Sequence, residues 1–127
     1  IPGFTAFQSP EGQIKEIFQN VYFNTDEHMI RGRDHIDIIR NVASYLKDHA
    51  NTYIFVEGNC DERGPEAYNL SLGSRRANYI RSLLVKYGAN SEQIYTVSYG
   101  KEKPCAFGHT AQDWAKNRRC EFKIYQK

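Results

Sequence analysis

Residues 53–64 read Tyr53-Ile54-Phe55-Val56-Glu57-Gly58-Asn59-Cys60-Asp61-Glu62-Arg63-Gly64, and they decide the fold. The first four are β-branched or aromatic, and the run up to Glu57 shows almost no polar alternation. A strand of that kind is buried on both faces, as a central strand of a parallel sheet is. A polar loop with glycine at both ends follows. Then a helical pattern begins, in which Ala77, Ile80, Leu84 and Tyr87 fall at offsets 0, 3, 7 and 10, with Gly88 as its stop. Either Pro65-Glu66 opens this helix or Ser71 caps it.

The same alternation extends in both directions. Upstream, Val21-Tyr22-Phe23 reads as a short strand ending in Asn24-Thr25-Asp26. Ile36, Ile39, Ala43 and Leu46 then repeat the offsets 0, 3, 7 and 10 of a helix face, capped at Asp34 or an earlier polar residue and broken by Asn51. Downstream, Ser91-Glu92-Gln93 is a turn, and Tyr95-Thr96-Val97-Ser98-Tyr99 is a strand stopped by Gly100. A long loop with at most a short helix over 111–116 follows. Residues 120–125 alternate polar and apolar, which predicts a strand antiparallel to the third. The expected fold class is α+β: a two-layer βαβαβ-β sandwich, a mixed four-stranded sheet with helices on one face and right-handed crossovers. Residues 1–18, with a turn at Ser9-Pro10-Glu11-Gly12, read as a loosely docked N-terminal arm on a domain of residues 19–127.

At 127 residues the chain is one domain, large enough for a core without staples. Hydrophobic content is 40% and charged content 25%, which excludes a disordered or collagen-like chain. The net charge of +2 is too balanced for a nucleic-acid or membrane-surface binder. No apolar run approaches the roughly 20 residues of a membrane-spanning helix. The chain opens Ile1-Pro2-Gly3 without Met or a basic-then-apolar leader, and so reads as a processed or truncated product.

Loops that follow parallel strands emerge at one sheet edge. Residues 24–27, 58–64 and 100–104 are therefore expected together, joined by Asn117-Arg118-Arg119 at the start of the antiparallel strand.

The ordered motifs at that edge are familiar. Val56-Glu57-Gly58-Asn59-Cys60-Asp61-Glu62-Arg63-Gly64, followed by Tyr68-Asn69-Leu70-Ser71-Leu72-Gly73-Ser74-Arg75-Arg76-Ala77, resembles the OmpA-like peptidoglycan-binding domains. Val97-Ser98-Tyr99-Gly100-Lys101-Glu102-Lys103-Pro104, Gly108-His109 and Asn117-Arg118-Arg119 resemble, within that family, the peptidoglycan-associated lipoproteins. The resemblance runs from about residue 20 to 125.

It implies a monomeric, non-catalytic module without a cofactor. The module would bind the diaminopimelate-containing stem peptide of peptidoglycan at the periplasmic face of the outer membrane. It would tether that membrane to the wall, with a role in division. A lipid anchor outside this chain and a partner, the periplasmic propeller protein of the Tol system, are implied as well. Diaminopimelate ends in an ammonium and a carboxylate. The resemblance assigns Asp61 to the ammonium and Arg76 to the carboxylate, where a guanidinium binds bidentately. Asp26 and the Thr25 backbone would form a third wall. Arg118 would line the groove, while Arg119 would sit solvated on the last strand. Asn69 and Leu72 complete the set, Asn69 holding the loop through backbone hydrogen bonds and Leu72 facing the core. Both Asp61 and Arg76 are expected at a solvated groove, so that removing either abolishes wall binding without unfolding the domain.

Bland readings stand beside these. Asp61 would cap a turn, and Arg76 would pair on the surface with Glu62 or Glu66. His28, His35, His49 and His109 lack a metal-ligand spacing. Trp114 would plug the sheet end or stack on a sugar. Other functions are a wall-anchoring tail of a porin or flagellar stator, or a thiol or zinc enzyme using Cys60 beside Asp61. Cys60, Cys105 and Cys120 all fall toward one sheet edge. Either Cys105 and Cys120 form a disulfide across their loop or all three are small buried hydrophobes.

Overall fold

A computed structural model describes residues 3–127. Ile1 and Pro2, with which the reading of a processed start begins, lie outside the described residues. Four strands form one sheet: β1 (Val21–Tyr22), β2 (Thr52–Asn59), β3 (Ile94–Gly100) and β4 (Arg119–Gln126). Three helices accompany them: α1 (Arg33–Asp48), α2 (Glu66–Lys86) and α3 (Ala111–Asn117). The order across the sheet is β1-β4-β2-β3. β2 and β3 are parallel, while β4 runs antiparallel to both β1 and β2. The expected direction of β4 therefore holds, but its neighbours are β1 and β2 rather than the third strand. Alternation along a strand reveals one covered face and says nothing about which strand lies alongside.

The two-faced burial of β2 has a specific cause. Ile54 and Val56 face α1 and α2 together with their partners Ile124 and Phe122 on β4. They close a core with Val21, Ile39, Val42, Leu46, Ile80 and Leu84. The other face of β2 is covered by the N-terminal arm. Phe4 and Phe7 lie against Phe55 with ring centroids 4.6 and 4.8 Å away, and Phe7 also meets Tyr95 and Tyr125. Gln8 exchanges backbone hydrogen bonds with Ile124 at 2.9 and 2.8 Å. The arm is thus held more firmly than its weak periodicity suggests.

α2 starts at Glu66, with Pro65 before it. Ser71 is no cap but lies on the exposed side of the helix. α3 carries a capping box, Thr110 with Asp113. Among the described residues no helix is long and apolar enough to cross a membrane.

Candidate functional site

Asp61 lies two residues past the end of β2, near the start of the loop that leads to α2, and it is buried. Its Oδ1 accepts hydrogen bonds from the Arg63 backbone N–H at 3.0 Å and from Arg63 Nε at 3.1 Å. Its Oδ2 accepts from Arg63 Nη2 at 2.9 Å and Arg118 Nη1 at 3.4 Å. Burial pushes the Asp61 carboxyl upward, but the bonds from Arg63 and Arg118 outweigh it and hold the group below its usual range. The turn expected of a loop aspartate is present: a carboxylate accepting from the N–H two residues on.

Arg76 departs from expectation. It is fully buried on α2, not solvated in a groove, and it pairs with neither Glu62 nor Glu66. Its Nε donates to Glu27 O at 2.8 Å, Nη1 to Asn59 O at 3.0 Å and Nη2 to Asn24 O at 3.0 Å. The Phe23 ring packs under the guanidinium at 4.9 Å. One side chain thereby ties the loop after β1 to the end of β2. Burial pulls the guanidinium down from its usual value, yet arginine stays charged in proteins. It keeps that charge with carbonyls as partners and no carboxylate in contact among the described residues.

These two groups border a cavity of about 430 Å³ lined by residues from four segments. Thr25 and Asp26 come from the loop after β1, and Cys60, Asp61 and Arg63 from the loop after β2. Tyr68, Asn69, Leu72 and Arg76 come from α2, and Arg118 precedes β4. All seven residues singled out from the sequence meet here: Asp61, Arg76, Asp26, Thr25, Asn69, Leu72 and Arg118. Asn69 does hold the loop, its Nδ2 donating to Arg63 O at 2.9 Å. Leu72 is buried against the core side of the cavity. Arg118 donates from Nε to Phe23 O at 2.8 Å. Asp26 stands at φ +60°, a conformation aspartate tolerates better than most residues, and its Oδ1 accepts from Tyr68 Oη at 3.0 Å across the rim.

Arg63 and Tyr68 escaped the sequence reading. The two-residue spacing from Asp61 was the available signal for Arg63. Arg63 also stacks on Trp114, its guanidinium 4.2 Å from the ring, and donates to Thr25 Oγ1 at 3.2 Å. Trp114 in turn donates from Nε1 to Glu62 at 2.7 Å, and His109 lies 2.7 Å from the same carboxylate. The two hydrogen bonds, from Trp114 first, hold the Glu62 carboxyl low, and the same carboxylate raises His109.

Two further expectations are corrected. Arg119 is buried rather than solvated, with Nε donating to Glu121 at 2.7 Å and Nη2 to Lys103 O at 2.9 Å. All three cysteines are free, so Cys105 and Cys120 form no bridge. Cys120 pairs with Gly58 in the sheet and is buried there, whereas Cys105 is exposed on the loop with its thiol donating to Lys116 O at 3.3 Å. The alternative of three buried small residues holds for Cys60 and Cys120 only. Denaturing thiol titration without reductant is expected to count three thiols; a count of one would restore the bridge. Burial pushes the Cys60 thiol upward, the opposite of what an activated nucleophile needs. Among the described residues no group of three or more His, Cys, Asp or Glu could hold a metal ion.

Residues 22–118 match the OmpA family. The chain belongs to that family. It is 40% identical over 106 residues to the peptidoglycan-associated lipoprotein of Pasteurella multocida, covering 84% of this chain and 70% of that relative. The crystal structure of the peptidoglycan-associated lipoprotein from Burkholderia pseudomallei superposes with a TM-score of 0.80 at 40% identity, covering 83% of this chain and 88% of that one. The C-terminal domain of Helicobacter pylori MotB superposes with a TM-score of 0.78 at 23% identity, over 86% and 85% of the two chains. That likeness reaches the fold alone. At the finer level this member of the family resembles the lipoproteins, as its Lys101–Pro104 run and Asn117-Arg118-Arg119 suggest.

Proposed function

We propose that the cavity binds the peptide stem of peptidoglycan and reads the zwitterionic end of diaminopimelate, without catalysis. The observation that carries this reading is a buried guanidinium with no anion against it, next to a carboxylate at the same cavity wall. Buried charges ordinarily find a partner of opposite sign. Arg76 satisfies three carbonyls and has no carboxylate in contact among the described residues. Its charge therefore favours a ligand carboxylate at the cavity wall it borders, while Asp61 receives the ammonium. Thr25, Asp26 and Tyr68 close the opposite rim, Arg118 supports Asp61, and Asn69 and Leu72 shape the wall.

The relatives' name and the family fold support a tether between the outer membrane and the wall. The finer parts of the same reading are a lipid anchor outside this chain and the Tol propeller protein as partner at the periplasmic face. Phe107 is 80% exposed and stands on the neighbouring loop, where it offers such a partner an apolar contact. Individual stems would be held modestly, and a polymer of stems supplies avidity.

Calorimetric titration with stems differing only at the third residue tests the reading. A diaminopimelate stem should bind about tenfold or more tighter than a lysine stem, the effect of one charge-assisted contact. Asp61→Ala should abolish binding of both while leaving the fold intact. Equal affinities, or unchanged binding by Asp61→Ala, would remove the assignment.

A further inference from the structure

Asp61 has no free acceptor position. A carboxylate offers about four lone-pair sites, and Asp61 spends them on the Arg63 backbone N–H, Arg63 Nε, Arg63 Nη2 and Arg118 Nη1. An incoming ammonium reaches this carboxylate only by displacing one of the four. Two of them are fixed. The backbone N–H belongs to the turn, and the Arg118 side chain is 15% exposed and anchored on Phe23 O. The Arg63 side chain is 41% exposed, and its remaining contacts are an exposed hydroxyl and the face of Trp114. It is the donor able to leave.

We propose that Arg63 is the specificity-determining residue of this site and acts by exchange of partners. The ligand's ammonium takes the place of the Arg63 guanidinium on Asp61. The released guanidinium then pairs with the carboxylate that lies beside that ammonium in the ligand. This inference rests on the proposed binding of a zwitterionic stem end. The exchange breaks one fork and makes two new ion pairs only when the ligand carries both charges on neighbouring atoms. A ligand with the ammonium alone strands Arg63 without an anion. A ligand with the carboxylate alone leaves the fork on Asp61 unbroken. Trp114 keeps the guanidinium at the mouth throughout, because stacking survives a rotation of the cation over the ring face. Trp114 is itself held by its N–H bond to Glu62, which His109 also contacts.

The exchange separates two roles that a direct comparison of stems leaves merged. Arg76 supplies a fixed positive wall, which favours a carboxylate whatever its neighbour. Arg63 charges an entry cost to any ammonium, refunded only by an adjacent carboxylate. Removing Arg63 should therefore help the wrong ligand more than the right one.

The test uses two synthetic tripeptides, L-Ala-γ-D-Glu-meso-diaminopimelate and its L-lysine counterpart, titrated calorimetrically into the wild type, Arg63→Ala and Arg63→Gln. The wild type is expected to prefer the diaminopimelate peptide by about tenfold or more. In both variants the lysine peptide should bind tighter than it does to the wild type, and the preference should fall to about threefold or less. Carbon-detected NMR titration of the Asp61 carboxyl reports the fork itself, and its pKa should rise in both variants as donors are lost. An unchanged preference in variants whose Asp61 has been released overturns the exchange and leaves the stem-binding reading standing. Equal weakening of both peptides also overturns it, since Arg63 would then touch a part common to the two. If neither peptide binds even with Asp61 released, the exchange and the stem-binding reading both fall.

Discussion

Arg76→Ala is expected to cost about 4 kcal/mol of folding stability or more, a large share of the total for a domain of this size. The substitution removes a fully buried guanidinium and orphans three backbone carbonyls, those of Asn24, Glu27 and Asn59. A buried polar group left without its partner costs on the order of 1–3 kcal/mol. The void left beside Phe23 adds to this. Arg76→Lys should rescue little, because a single ammonium cannot span three carbonyls that a planar fork reaches together. Urea denaturation followed by circular dichroism provides the measurement. A midpoint within about 1 kcal/mol of the wild type would mean that the loops hold without the cross-link. The contrast with Asp61→Ala is informative, since Asp61 lies on a loop, its removal frees the half-exposed Arg63, and Arg118 keeps its hydrogen bond to Phe23 O. Two residues assigned to one ligand thus differ in what they do for the fold.

That difference was not legible in the sequence. Arg76 does line the cavity, but its partners are main-chain carbonyls 49, 52 and 17 positions away, and a carbonyl leaves no trace in residue identity. Arg119 is the same case: its burial depends on Lys103 O and on Glu121 in a strand whose outer face was expected to be wet. What could be read was periodicity and topology. The offsets of Ile39, Ala43 and Leu46, and of Ala77, Ile80 and Leu84, marked residues that are all buried. The rule that loops after parallel strands share an edge is enough to bring Thr25, Asp26, Asp61 and Arg118 together. The choice of β2 and β1 as the partners of β4 escaped, because the insertion of β4 between them is a property of the whole chain. The cysteines failed for a related reason: sharing a sheet edge says nothing about facing the same side of it.

The site also depends on a pair of glycines that no polar argument would select. Gly58 on β2 and Gly73 on α2 face each other, and a Cβ built on Gly58 would run into the carbonyl oxygen of Gly73 and pass 2.6 Å from its carbonyl carbon. The obstacle is helix backbone, which cannot rotate aside as a side chain does. Gly58→Ala therefore forces α2 off the sheet, and the expected cost is about 3 kcal/mol or more, at the upper end of overpacking. For a domain of this size that corresponds to a fall in melting temperature of about 10 °C. The displacement also reaches the cavity. Asn69, Leu72 and Arg76 lie within one turn or so of Gly73 on the same helix, whereas Cys60 and Asp61 come two and three residues after Gly58 on the strand side. Raising the helix pulls one wall of the cavity from the other, so the folded fraction of Gly58→Ala should bind stem peptide more weakly even where the protein remains native. Differential scanning calorimetry and a titration below the melting temperature check the two halves separately. A Gly58→Ala protein that melts within about 2 °C of the wild type would show that the helix yields at little cost. A destabilised variant with undiminished affinity would show that the cavity does not depend on this close approach.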